Sequence, residues 1–286
     1  MSSEGQLLLW FGRARLWYTP ESGDCESIVI KNPHLEGGPF TWEGGPTGIL
    51  LVHGYTATTA EVRPLAAYLY ERGYTVAGPL LPGHNTTPED ANRYRWRDWV
   101  RAVELAYREL AGRCQRIIVG GESTGAVLTL YLASEHPEIA AVLSYAAALR
   151  LSLGRRELVQ LCLLAPFRPY VSRRRVSPTR SSGGDSLWRG YSVTPLRGTV
   201  ELLRLQRAVQ PRLVRVRQPI LVVQGRQDAT VHPSAPETIY REVGSTVKEL
   251  HWFERSAHKV ILDDEREQVF ALTERFLENA LGKRGV

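Results

Sequence analysis

Short apolar runs alternate along the chain with stretches whose apolar residues recur every three or four positions. Gly48-Ile49-Leu50-Leu51-Val52 is almost wholly apolar, which predicts a strand buried on both faces. Leu65, Leu69 and Tyr70 form part of a helical stripe that Thr58 or Thr59 would cap, with Glu61 in its first turn and Gly73 at its end. Residues 74–77 read as the next strand. Trp96, Trp99, Val100, Val103 and Leu110 repeat at helical spacing up to Gly112. Ile117-Ile118-Val119 then predicts a strand, residues 126–133 a helix of mostly small side chains, and residues 139–146 another strand. The rhythm breaks over residues 149–218 and resumes with a strand at 219–223. A helix at 235–243, a strand at 247–252 and a terminal helix at 264–280 complete it, the last burying Val269, Phe270, Leu272, Phe276 and Leu277. Before the first buried strand, residues 26–31 and 39–43 read as short strands, and the first 24 residues fit no one element. Such alternation predicts an α/β fold, a mostly parallel sheet with helices on both faces. Residues 1–148 and 219–286 are expected to form its core. Residues 149–218 are expected to form an inserted cap, because their apolar side chains need a surface to bury against.

Composition narrows this picture only slightly. The 286 residues, 43% hydrophobic, suffice for one sizeable core with an insertion and exclude disordered and repeat classes. The net charge is +6, and only Lys31, Lys248, Lys259 and Lys283 of the 36 basic residues are lysines. No basic stretch has the spacing of a nucleic-acid reading module, so no nucleic-acid partner is expected. Cys25, Cys114 and Cys162 make an odd count without metal-ligand spacing, which predicts a reducing compartment and no metal. The N-terminal residues do not read as a signal peptide, and no apolar run reaches the roughly 18 residues of a spanning helix. The expectation is a cytoplasmic protein without stable membrane insertion, monomer or dimer.

Candidate chemistry gathers at the ends of the predicted strands, where doubly wound sheets bind ligands. Gly121-Glu122-Ser123-Thr124-Gly125 lies between a strand and a helix, the context in which a G-x-S-x-G turn lifts a serine above the sheet. A serine hydroxyl needs a base, and the base needs an orienting acid. Asp228 follows one later strand in Gly225-Arg226-Gln227-Asp228, and His258 follows the last strand, giving the order Ser123, Asp228, His258. Glu254 and Asp263 are rival acids without the position after a strand. His84, His232 and His251 are rival bases placed less well, and His53 is expected to brace its own loop. An acyl-transfer oxyanion would find N–H donors at Thr124 and at Tyr55 in His53-Gly54-Tyr55-Thr56.

These pieces, with Leu81-Pro82-Gly83-His84 and Ser256-Ala257-His258, resemble the alpha/beta-hydrolase superfamily over most of the chain from about residue 26. Within it they are similar to the bacterial carboxylesterase and monoacylglycerol lipase-like group with a small cap. The resemblance implies about eight strands, no cofactor and action on carboxylic esters. It assigns Ser123, Asp228 and His258 as nucleophile, acid and base, with Tyr55 and Thr124 at the oxyanion hole. Two positions depart from the group: Ala126 where many relatives have a second glycine, and Asn85 where the loop often continues with glycine. The cap should set acyl-chain preference through Tyr55, Leu153, Leu158, Leu161, Leu164, Phe167, Leu187, Trp188 and Tyr191. A carboxylesterase for short- to medium-chain esters is the leading reading. A monoacylglycerol lipase, a thioesterase and a non-catalytic ligand-binding protein of the same fold are its alternatives.

Overall fold

The structure is a computed structural model that describes residues 9–11, 14–16, 30–172 and 183–282. Most of the predicted strand at 26–31 and the run Arg173-Arg174-Arg175 lie outside the described residues. Seven strands form the central sheet: β1 (Phe40–Trp42), β2 (Thr47–Val52), β3 (Thr75–Gly78), β4 (Arg116–Glu122), β5 (Ala141–Tyr145), β6 (Ile220–Gly225) and β7 (Lys248–Phe253). Their order is β7-β6-β5-β4-β2-β3-β1. Only the β1–β3 pair is antiparallel. The resemblance implied about eight strands; the described residues supply seven.

The apolar runs become strands for the expected reason. Every residue of β2, β3, β5 and β6 is buried, while the edge strand β7 is half-buried throughout. Successive side chains of a strand point to opposite faces, and β2 divides accordingly. Leu50 and Val52 join Trp99, Val103, Leu128 and Val142 on one face. Ile49 and Leu51 join Leu65, Leu69, Leu143 and Phe276 on the other. The helices that cover these faces are α1 (Arg63–Tyr70), α2 (Trp96–Ala111) and α3 (Thr124–Glu135), followed later in the chain by others. α3 is buried almost all round, which accounts for its mostly apolar side chains.

Residues 149–218 have several fates. α4 (Arg155–Leu164) buries no residue, and Val159, Leu163 and Phe167 stand 58%, 66% and 84% exposed along it and just beyond. Tyr170–Ser172 pairs antiparallel with Val193–Pro195, and Gly190–Tyr191 pairs with Ile30–Lys31. α5 (Leu196–Val209) instead packs into the main core, with Leu202, Leu205 and Val209 in the same cluster as β5 and α3. α6 (Ser234–Glu242) and α7 (Arg266–Leu281) complete the helical layers. Between α7 and the sheet, the hydroxyls of Tyr145 and Thr273 meet at 2.7 Å in a buried hydrogen bond. Among the described residues no helix is long and apolar enough to cross a membrane.

The fully buried Trp99 anchors α2 to the sheet, whereas Leu105 on the same helix is 62% exposed. In urea unfolding, Trp99→Ala should lose about 3–5 kcal/mol. Leu105→Ala should stay within about 0.5 kcal/mol of the parent.

Candidate active site

β4 ends at Glu122 and α3 begins at Thr124, so Ser123 alone makes the turn. It does so at φ 57° and ψ −114°, a backbone region that side-chain-bearing residues rarely enter. Its N–H donates to the Tyr145 carbonyl at 2.9 Å, and its carbonyl accepts from Ala148 at 3.1 Å. The flanking glycines make the close approach possible. A Cβ at Gly121 would lie 2.5 Å from the Val52 carbonyl oxygen, and one at Gly125 only 2.0 Å from it. The β4–α3 turn is therefore pressed against the end of β2 with no room for a methyl group.

Asp228 and His258 reach this turn from the loops after β6 and β7. The His258 Nε2 lies 3.0 Å from the Ser123 Oγ, and its Nδ1 lies 2.8 Å from the Asp228 Oδ2. A carboxylate facing Nδ1 places the ring proton there and leaves the Nε2 lone pair toward the serine hydroxyl. Asp228 is held as firmly as the ring. Its Oδ1 accepts from the N–H groups of Thr230 (2.7 Å) and Val231 (3.0 Å), and its Oδ2 also accepts from Gln224 Nε2 (2.7 Å). Burial opposes ionisation of Asp228, but the neighbouring His258 and these backbone donors outweigh it and hold the carboxyl below its ordinary pKa.

The rival acids and bases and their neighbours fall into clear places. Asp263 and Glu265 brace the histidine loop: Asp263 accepts from the Ala257 N–H (2.8 Å), and Glu265 from the Ser256 hydroxyl (2.8 Å) and the Arg255 N–H (2.9 Å). Glu254 lies at the surface, paired with Arg226. His232 bonds Ser234 and His251 bonds Glu249. His53 is wholly buried, its Nδ1 bonded to the Gly54 carbonyl (2.9 Å) and its Nε2 accepting from the Leu81 N–H (3.1 Å). Burial and the adjacent His84 push its pKa down to about 3, so it stays neutral and joins two loops. Thr124, as the first residue of α3, carries one of the N–H groups that a helix start leaves free. Gly54, before Tyr55, runs so close to the turn that a Cβ there would lie 3.1 Å from the Ser123 Cβ. The Tyr55 hydroxyl donates to the Pro195 carbonyl at 2.8 Å.

Among the expected cap residues, Leu153, Leu158, Leu161, Leu164 and Leu187 are half-buried and Phe167 is exposed. Trp188 and Tyr191 are buried, Trp188 within the apolar cluster beneath the sheet and Tyr191 through its hydroxyl on the Gly83 carbonyl (2.8 Å). Three polar site neighbours are not singled out by the sequence motifs: Gln224, Glu265 and Glu122. Only Glu122 carried a signal, as a charged residue inside an otherwise apolar strand end. It is buried, and its carboxyl has one long contact, 3.4 Å from the Ile261 N–H. Among the described residues, no group of three or more His, Cys, Asp or Glu side chains is arranged to hold a metal ion.

A mostly parallel sheet with a strained serine turn after its central strand, and a histidine and an aspartate on later loops, defines the alpha/beta-hydrolase class. A family model described as serine aminopeptidase, S33, matches residues 47–265, and the chain belongs to this family of the alpha/beta-hydrolase superfamily. It is 35% identical over 247 residues to a thermostable monoacylglycerol lipase from Bacillus sp. (strain H-257), covering 86% of this chain and 95% of that one. A carboxylesterase from Bacillus subtilis (strain 168) is 32% identical over 241 residues, covering 84% and 96%. A solved structure from work on LipS and LipT, two metagenome-derived lipolytic enzymes, is 32% identical with a TM-score of 0.77, covering 86% of this chain and 99% of that one. The homology is thus to enzymes of the esterase and lipase group.

Burial, with the neighbouring Glu61 adding to it, raises the Glu122 pKa well above its ordinary 4.5, against the opposing Ile261 N–H and Lys259. The folded protein therefore keeps a proton that the unfolded chain has lost, and raising the pH above the ordinary value costs stability. Glu122→Gln removes that dependence. Thermal unfolding should show a melting-temperature difference, variant minus parent, that is constant below about pH 4 and grows as the pH rises above the ordinary carboxyl range.

Proposed function

We propose that the protein is a serine carboxylesterase that cleaves short- to medium-chain carboxylic esters through an acyl-enzyme. The observation that carries this reading is the unbroken chain Ser123 Oγ–His258–Asp228, at 3.0 Å and 2.8 Å. His258 takes the Ser123 proton through Nε2 as Oγ attacks the ester carbonyl. The carbonyl oxygen becomes an oxyanion facing the N–H groups of Thr124 and Tyr55. His258, now charged, is stabilised by Asp228 and gives its proton to the departing alcohol. Water activated by the same imidazole then releases the acid and regenerates the hydroxyl. Because Asp228 is held ionised by four hydrogen bonds, it keeps the ring in the required tautomer.

The cap supplies the acyl side. Leu153, Leu158, Leu161, Leu164 and Leu187 offer half-buried apolar surface, and Tyr55 forms a wall whose hydroxyl is anchored to the cap. Trp188 and Tyr191 act as supports behind that surface. A monoacylglycerol lipase is the second reading, favoured by the 35% identity to a lipase of that kind and by the exposed apolar residues Val159, Leu163 and Phe167.

Hydrolysis of p-nitrophenyl esters from two to sixteen carbons tests both readings. The parent should turn over short and medium chains. Ser123→Ala should lose about 10⁴- to 10⁶-fold in kcat, and Asp228→Asn about 10³- to 10⁴-fold. A rate that climbs to the longest chains would favour the lipase. Full activity in Ser123→Ala would remove Ser123 as the nucleophile.

A further inference from the structure

One buried carboxyl joins the oxyanion loop to the cap. Glu61 is 4% exposed, and its two oxygens point in different directions. The Oε2 accepts from the backbone N–H of Gly54 at 2.6 Å, and the Oε1 accepts from the indole Nε1 of Trp188 at 3.0 Å. Gly54 immediately precedes Tyr55, whose N–H faces the developing oxyanion in the mechanism above. A shift of Gly54 therefore rotates the peptide that carries that donor. The next residue, Thr56, is held at φ 67°, an uncommon value for a β-branched residue, so this loop does not rest in an intrinsic backbone minimum.

The segment that bears Trp188 touches the loop at further points. The Tyr191 N–H donates to the Thr56 carbonyl at 2.9 Å, and the Thr58 hydroxyl donates to the Arg189 carbonyl at 3.2 Å. The same segment reaches the other side of the site. Lys259, next to His258, pairs with Asp185 and stands 5.0 Å from the centre of the Trp188 ring. Glu61 and Trp188 thus lie where the cap meets both loops that the chemistry needs.

We propose that Glu61 is a positioning residue for the reaction and Trp188 its latch, so that the Tyr55 donor is set only while the Trp188 segment is seated. The inference rests on the assignment of Ser123 as the acylated nucleophile. It goes beyond fold maintenance because it ties a cap contact to stabilisation of the transition state. A misaimed oxyanion donor lowers kcat and leaves ground-state binding of the ester unchanged. Glutamine at position 61 keeps the size of the side chain but offers one acceptor oxygen for two N–H donors.

The test uses the full chain and p-nitrophenyl butyrate, with active sites counted by a fluorophosphonate and an alkyl boronic acid as the tetrahedral mimic. Glu61→Gln should lower kcat per titrated site by about 10- to 100-fold. Its KM should stay within about twofold, and its boronate affinity should weaken by the same factor as kcat/KM. Trp188→Phe, which keeps an aromatic ring in the core but removes the N–H together with part of the indole, should move the same two quantities by about three- to tenfold. If Glu61→Gln does not fold, Trp188→Phe decides alone. Unchanged kcat per titrated site overturns the inference. So does a loss of activity matched by a loss of titratable sites, which is what a purely structural role would give. A parent protein that neither turns over esters nor reacts with the fluorophosphonate overturns the reading of Ser123, and this inference with it.

Discussion

The backbone of Ser123 occupies a region that residues with a Cβ seldom enter, and it is held there from several sides. The Tyr145 carbonyl takes its N–H, and Ala148 donates to its carbonyl. β2 closes the space on the other side, where the Val52 carbonyl would lie 2.5 Å from a Cβ at Gly121 and 2.0 Å from one at Gly125. The consequence runs outward. A turn so tightly set can sit only at the end of a buried central strand, between neighbours that are buried in turn, and β2, β4 and β5 are those strands. The parallel order then places the ends of β6 and β7 on the same edge, where the Asp228 and His258 loops arise. Strain of this kind persists only where the surroundings over-determine it.

Near this turn, two buried carboxyls shift in opposite directions, and their charged neighbours and hydrogen-bond donors decide between them. Asp228 accepts hydrogen bonds from Thr230, Val231, Gln224 and His258, and it stays ionised although buried. Glu122 has one long contact to Ile261, and burial with the neighbouring Glu61 raises its pKa well above the ordinary carboxyl value. Burial alone would neutralise both. The imidazole of His258 thereby has an anion at its Nδ1 side, while burial disfavours a second charge on the carboxyl next to Ser123 in sequence. His53 follows the same logic from the basic side, where burial without an anion makes it a neutral brace.

The strands and helices of the core were legible because each has one dominant environment. A fully apolar run such as Gly48-Ile49-Leu50-Leu51-Val52 has no alternative to a sheet covered on both faces, and the stripe through Trp96, Trp99 and Val103 has none to a helix on that sheet. The serine, aspartate and histidine were legible because they stand just beyond such strands. Gln224, Glu265 and the double role of Glu61 were not. Their function lies in hydrogen bonds to residues 4, 7, 9, 10 and 127 positions away, and hydrogen-bonding direction leaves no periodic trace in a sequence. Glu61 looked like an ordinary acid in a first helical turn, yet that turn is a short 3₁₀ segment and α1 begins only at Arg63.

The inserted region shows the same limit from the packing side. Apolar residues between 149 and 218 announce burial without saying against what. Leu202 and Leu205 of α5 find the main core, Trp188 finds the cluster on the opposite face of the sheet, and Val159 and Leu163 of α4 find solvent. Trp188 couples apolar burial to a polar tether, because its ring fills a core position while its N–H reaches Glu61. An indole can satisfy both demands where a phenylalanine satisfies one. Packing sets the depth of this segment, and the indole N–H joins the Tyr191 N–H and the Arg189 carbonyl in directing it toward the loop that holds Gly54 and Thr56. Helix α4 thus stays outside the core, burying no residue, while the segment from Asp185 to Tyr191 keeps its place against the loops of Tyr55 and His258.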